Sequence, residues 1–332
     1  MAPGTCGYRV CMMLPKPRGG LSAWLFERLP QMADEPPRWT VESPGSEADG
    51  ADDSAVALWA LHELSYGGFE DVPDRAEQDP TVLVLRARLE SELETCLRKR
   101  WTGAVPAAED VAEALFALVE AHDGPSLAAH VHRHADRGQV MELLQQRSVY
   151  HLKEADPTSW AIPRLPVRAK ASLVELQLDE YGGGNPNRLH AHLFARGLDA
   201  VGMRPEYGAY VDDAMTEVLD MNNAVSMFGM QRRLRGAAMG HLAAFEATSS
   251  LPSRRMVQGM ERLGLAEAMV DYYSEHVEAD AVHEHLAAQQ ICGTLALDEP
   301  GQAAEIMFGA FTALDLEARF ATALLDAWGA AA

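Results

Sequence analysis

Cysteine is scarce in this 332-residue chain. Cys6, Cys11, Cys96 and Cys292 are scattered with no CxxC pair, which excludes a disulfide framework and predicts reduced thiols in a cytoplasmic protein. Positive charge is short too. Lys and Arg total 28 against 49 Asp and Glu, a net charge of −21 that argues against a nucleic-acid partner or other phosphate-binding surface. Long apolar runs are missing: none approaches the ~20 residues of a membrane span. The opening MAPGTCGYRVCMMLPKPRGG is too broken for a secretory signal. Strand-like alternation is nearly absent, and neither a fixed-period repeat nor a sustained heptad seam stands out. The expected fold class is therefore all-α, at a length that supports one large or two modest domains with real cores.

The punctuation divides the chain into three parts. Residues 1–52 are rich in Pro, Gly, Ser and acidic side chains and end in ESPGSEADGADD, which predicts a flexible segment with little packed structure. Residues 53–137 read as a helical N-terminal subdomain, with SAVALWALHELSYGGF, TVLVLRARLESELETCLRKRW and EDVAEALFALVEAH at helical periodicity, and serve as a candidate dimerisation unit. Residues 138–332 form the second helical part. MELLQQRSVYHLKEAD, VRAKASLVELQLDEY, RLHAHLFARGLDAVG, RRLRGAAMGHLAAFEATSS and the long AEAMVDYYSEHVEADAVHEHLAAQQICGTLAL are its main segments.

The most informative stretch is HVEADAVH. His276, Asp280 and His283 are four and then three residues apart, so a helix places them on one face within about 60° of each other. Their neighbours Val277, Ala279, Ala281 and Val282 are apolar. A buried carboxylate between two imidazoles is costly unless a cation neutralises it.

Four further metal-competent groups sit alone in apolar helices. Glu154 lies in YHLKEAD, Glu180 closes LQLDEYGGG, His190 opens the next helical segment, and Glu246 lies in HLAAFEATSS. Hard carboxylates with imidazoles form the donor mixture a dinuclear iron site needs. Ten residues of unbroken helix would set Glu180 and His190 about 80° apart. The intervening YGGGNPN breaks the helix, so a kink can bring them together. Two rival readings fail on the residues. No glutamate has a histidine three positions later, as a ferritin-like bundle requires. A haem pocket would leave converging carboxylates uncompensated.

EADP, LQLDEYGGGNPNRLHAHLF, GHLAAFEATSS and YYSEHVEADAVHEH together resemble the haem-oxygenase-like diiron oxidases, the iron-containing redox enzymes, over roughly residues 138–332. The resemblance implies a haem-oxygenase-like helical bundle holding two Fe(II) ions, with O2 as co-substrate. It places Glu154, Glu180, His190, Glu246, His276, Asp280 and His283 at the metal, and gives Glu180, His190 and Glu246 the catalytic role. It also implies that Glu180 bridges the irons, with Glu154, His190 and His283 on one and Glu246, His276 and Asp280 on the other. The implied activity is oxidation of a small molecule, here a free amino acid of natural-product biosynthesis, by N-oxygenation of an amine or by desaturation or ring closure. A fatty-acid desaturase or decarboxylase of the same family, and a non-catalytic helical module, are the alternatives. A homodimer and an external electron donor complete the expectation.

Other features are weaker. His130, His132 and His134 alternate in HVHRH and diverge on a helix. His192 and His285 each follow a proposed ligand by two and should point away from it. His241, five before Glu246, is a candidate outer partner, and Cys292 reads as an inert core thiol.

Overall fold

The computed structural model describes residues 12–32 and 47–330, except for the side chains of residues 278–282. Its described residues contain helices and turns and no strand, as expected of an all-α chain. The N-terminal helices are α1 (Gly20–Arg28), α2 (Ala51–Glu63), α3 (Pro80–Arg100), α4 (Val111–Glu120) and α5 (Leu127–Arg133). Then come α6 (Arg137–His151), α7 (Asp156–Ser159), α8 (Val167–Glu180), α9 (His190–Ala200), α10 (Thr216–Met230) and α11 (Arg235–Ala247). The remainder are α12 (Ser250–Arg262), α13 (Glu267–His285), α14 (Thr294–Asp298) and α15 (Ala303–Ala327).

Local sequence explains the starts. Asp79 caps α3 by accepting from Thr81 N, with Pro80 at the first helical position. Asp136 and Gln139 close a reciprocal capping box on α6.

Two expectations are corrected. Residues 12–32 belong to the packed structure, because Leu21, Leu25, Phe26 and Leu29 recur at helical spacing and are buried. The Asp53 carboxylate accepts from the backbone N–H groups of Leu21 and Ser22 at 3.0 and 2.9 Å, satisfying donors at the start of α1. Cys6 and Cys11 lie outside the described residues. Nor does the 137/138 boundary separate two cores. One buried cluster joins Val56 and Leu61 of α2, Val140 and Leu143 of α6, Phe194 of α9 and Phe320 of α15. The apolar faces of α2 and α5 find their partners in α10 and α12, far along the chain.

A second cluster gathers α8, α11 and α15. Glycine sets how closely α11 and α15 cross. A Cβ at Gly240 would run into the carbonyl oxygen of Ile306, and one at Gly309 into that of Ala237. The long C-terminal segment expected as one helix changes pitch after His285, running as π-helix over Leu286–Gly293 before α14. Such pitch changes recur beside functional sites. No helix among the described residues is long and apolar enough to cross a membrane.

Candidate metal centre

Six of the seven proposed ligands converge. Glu154 sits in the turn between α6 and α7, Glu180 ends α8, His190 begins α9, Glu246 lies in the last turn of α11, and His276 and His283 face inward from α13. All six are buried. The side chain of Asp280 lies outside the described residues.

The kink expected between Glu180 and His190 is present. Gly182, Gly183 and Gly184 have φ values of 67°, 63° and 80°, a left-handed run that side-chain-bearing residues rarely adopt. At Gly182 a Cβ would also stand 2.6 Å from the Arg188 carbonyl carbon. The chain folds back here and brings Glu180 Oε2 to 3.1 Å from His190 Nδ1.

The donors form two triads. Glu154, His190 and His276 make one, Glu180, Glu246 and His283 the other, each with ligand atoms within 4.8 Å of one another. This grouping differs from the one the resemblance implies. His276 stands with Glu154, its Nε2 3.8 Å from Oε1, and His283 stands with Glu246, its Nδ1 3.5 Å from Oε2. The reason lies in α13: seven residues carry the helix about 10 Å along its axis, so its two histidines reach different triads. Glu180 links them, with Oε2 toward His190 and Oε1 4.0 Å from His283 Nδ1.

The donor set fits a metal. Glu154 Oε1, His190 Nδ1 and His283 Nδ1 are buried with no aligned hydrogen-bond partner, although each lies near an opposite group. Buried polar atoms left in that state are costly unless something coordinates them. Three carboxylates and three imidazoles are donors suited to ferrous iron.

Outer contacts orient the ligands. His276 Nδ1 donates to the Tyr272 carbonyl oxygen at 2.8 Å, which leaves Nε2 turned toward Glu154. On the other triad His283 Nε2 meets Asp179 Oδ2 at 3.2 Å, leaving Nδ1 toward Glu246 and Glu180. Tyr272 OH and His151 Nδ1 lie 3.0 and 2.8 Å from Glu154 Oε2. Sequence reasoning missed His151, Tyr272 and Asp179. A signal existed for two of them: His151 precedes Glu154 by three and Asp179 precedes Glu180 by one.

These contacts set the charges. Burial pushes the Glu154 carboxyl up, but its hydrogen bond with His151 and the nearby His276 imidazole outweigh it and hold the group well below the usual carboxylate range. Glu246 is raised, by burial first and by the Glu180 carboxylate as well. Burial pulls the His283 imidazole down, yet Glu246, Asp179 and Glu180 overcome it and raise it to about 9. A raised histidine stabilises the fold while it is protonated. In chelator-treated protein this contribution is fully present below the unfolded value of ~6.5 and is lost as pH rises through about 9. Denaturation midpoints taken from pH 6.5 to 9.5 should fall over that window, and His283→Gln should flatten the fall. An identical slope in the variant would reject the assignment.

A cavity of about 290 Å³ opens beside the first triad. His276, Tyr272, His151, Arg147 and Glu317 line it, and Phe245, Met256 and Leu314 contribute apolar wall. His241 also faces this cavity and touches neither triad; burial lowers its imidazole to about 4, so it is neutral. His285 is exposed, as expected, and the buried Cys292 thiol is pushed up by desolvation and stays un-ionised. His130 Nε2 lies 3.3 Å from Gln139 Oε1 and belongs to neither triad.

The comparisons agree with this architecture. The model of a family described as iron-containing redox enzyme matches residues 141–318, more than half of the chain. Nitrosourea synthase from Streptomyces achromogenes subsp. streptozoticus is 25% identical over 158 residues, which are 47% of this chain and 34% of that protein. The matched region thus spans about a third of the relative's length. The crystal structure of a CADD-like protein from Nostoc punctiforme PCC 73102 superposes with a TM-score of 0.50 at 17% identity, covering 66% of this chain and 95% of that one. With its all-α, haem-oxygenase-like fold and its buried carboxylate–imidazole triads, the chain belongs to the iron-containing redox enzyme family.

Proposed function

We propose that the protein is an O2-dependent oxidase that holds two irons and oxidises a free amino acid. The reaction is either oxygenation of a side-chain nitrogen or desaturation or ring closure of the carbon chain. The observation that supports it is the pair of buried triads joined through Glu180 beside a cavity lined largely by apolar residues. Glu154, His190 and His276 would hold one iron, Glu246 and His283 the other, with Glu180 between them and Asp280 joining the second set on the resemblance. Iron supplies the binding and reduction of dioxygen when bound.

The protein supplies the surroundings. Tyr272 and His151 fix Glu154, the Tyr272 carbonyl fixes the ring of His276, and Asp179 fixes that of His283. The apolar cavity wall excludes water from the substrate's side chain. Tyr272, deeply buried against Glu154, keeps its phenol proton and donates it as a hydrogen bond. The relative named nitrosourea synthase supports chemistry at nitrogen, since a nitrosourea carries an N–N bond. An external electron donor belongs to the same proposal.

The test loads the anaerobic protein with Fe(II), adds each free amino acid, admits oxygen and follows oxygen uptake and product mass. A gain of oxygen atoms identifies oxygenation, and a loss of two hydrogens identifies desaturation or cyclisation. Uptake driven by fatty acids and by no amino acid would overturn the substrate class. No uptake with either would overturn the oxidase.

A further inference from the structure

We propose that the Arg147–Glu317 pair on the cavity wall is the site that recognises the α-ammonium and α-carboxylate of a zwitterionic amino acid, with the substrate's side chain directed toward the Glu154–His190–His276 triad. This rests on the oxidase reading and names how its substrate is selected. Arg147 Nη1 donates to Glu317 Oε2 at 2.8 Å, and Nη2 donates to Oε1. The Arg147 guanidinium also lies 5.0 Å from the centroid of the Phe320 ring, which holds its plane. Two of its five N–H groups are used in the pair, and three remain to meet a carboxylate. Each Glu317 oxygen keeps a lone pair for an ammonium.

The pair is neutral as a whole, so it selects a head group that is also neutral as a whole. A lone carboxylate, as on a fatty acid, meets the guanidinium but is repelled by Glu317. A lone amine is repelled by Arg147. Position adds the second argument. Arg147 and His151 are one turn apart on α6, about 6 Å along the axis, and His151 contacts the metal-facing Glu154. A head group anchored at Arg147 therefore leaves the side chain, not the α-carbon, facing the triad across the apolar wall.

Equilibrium binding to the metal-free full chain tests this without turnover. The probes are the standard L-amino acids and norleucine, each compared with its deamino acid and its decarboxylated amine; for norleucine these are hexanoate and pentylamine. The best-binding amino acid should exceed both of its analogues by about 10–100-fold, the worth of a hydrogen-bonded charge at each end. Glu317→Gln should bring the amino acid down to the level of its deamino acid, and Arg147→Gln to the level of its amine. Because the pair also clamps α6 to α15, the analogue comparison in the unaltered protein stands even if a variant fails to fold. A deamino acid binding as well as its amino acid, or no amino acid binding at all, would overturn the proposal. Iron-dependent oxygen uptake is read separately, so its success alongside that result would spare the oxidase and remove only this head-group site.

Discussion

On the proposed two-iron reading, Glu180→Ala is expected to abolish iron-dependent oxygen uptake and to lower the iron held from two per chain to one or none. Glu180, a proposed ligand, lies against both triads, 3.1 Å from His190 and 4.0 Å from His283. Its removal strips each site of a shared anionic donor. Losing an outer partner of a metal ligand costs ~10–100-fold in affinity or activity, and losing the ligand itself should exceed that range. Asp179→Asn supplies the graded control: it leaves both triads intact, disturbs only the ring of His283, and should fall inside the range. Metal analysis by mass spectrometry and oxygen-electrode traces read both variants. Retained two-iron loading in Glu180→Ala would remove the shared-ligand role.

The second large effect lies behind the site. Lys153 and Glu63 form an ion pair whose side chains are 4% and 0% exposed. Tyr207 OH donates to Glu63 Oε1 at 2.8 Å, and Lys153 Nζ sits 4.2 Å from the centroid of the Tyr66 ring. Breaking a buried pair leaves an uncompensated charge and costs about 3–5 kcal/mol. Lys153→Met should therefore destabilise the protein by about that amount. Replacing both partners with apolar residues, Glu63→Leu with Lys153→Met, should recover most of it, because a well-packed apolar pair is often no worse than an ionic one. Urea denaturation of the two variants measures the difference. A single variant as stable as the parent, or a double variant no better than the single, would contradict the pair's energetic role. Lys153 immediately precedes Glu154, so the single variant should also weaken metal binding at the first triad, a readout distinct from stability.

Much of the centre was legible because its donors are polar residues isolated in apolar helices, where burial without a partner is expensive. The four-and-three spacing of His276, Asp280 and His283 made one face visible, and the three glycines announced the break that lets Glu180 meet His190. Less legible were the groups that act across helices. Arg147 meets Glu317 over 170 residues and Lys153 meets Glu63 over 90, and neither pair has a local pattern. The packed N-terminal segment was hidden for a related reason: LSAWLFERL is short, and the cap that fixes it, Asp53, comes from the next helix.

The sequence by itself determined the all-α class, the break at YGGGNPN and the pool of ligand types, because periodicity, backbone freedom and side-chain chemistry are properties of neighbouring residues. Only the tertiary structure decided which histidine joins which triad, that the N-terminal helices share a core with the rest, and that an ion pair stands at the cavity. Those outcomes depend on helix axes, crossing distances and the rise along α13, which emerge only when distant apolar faces bury one another.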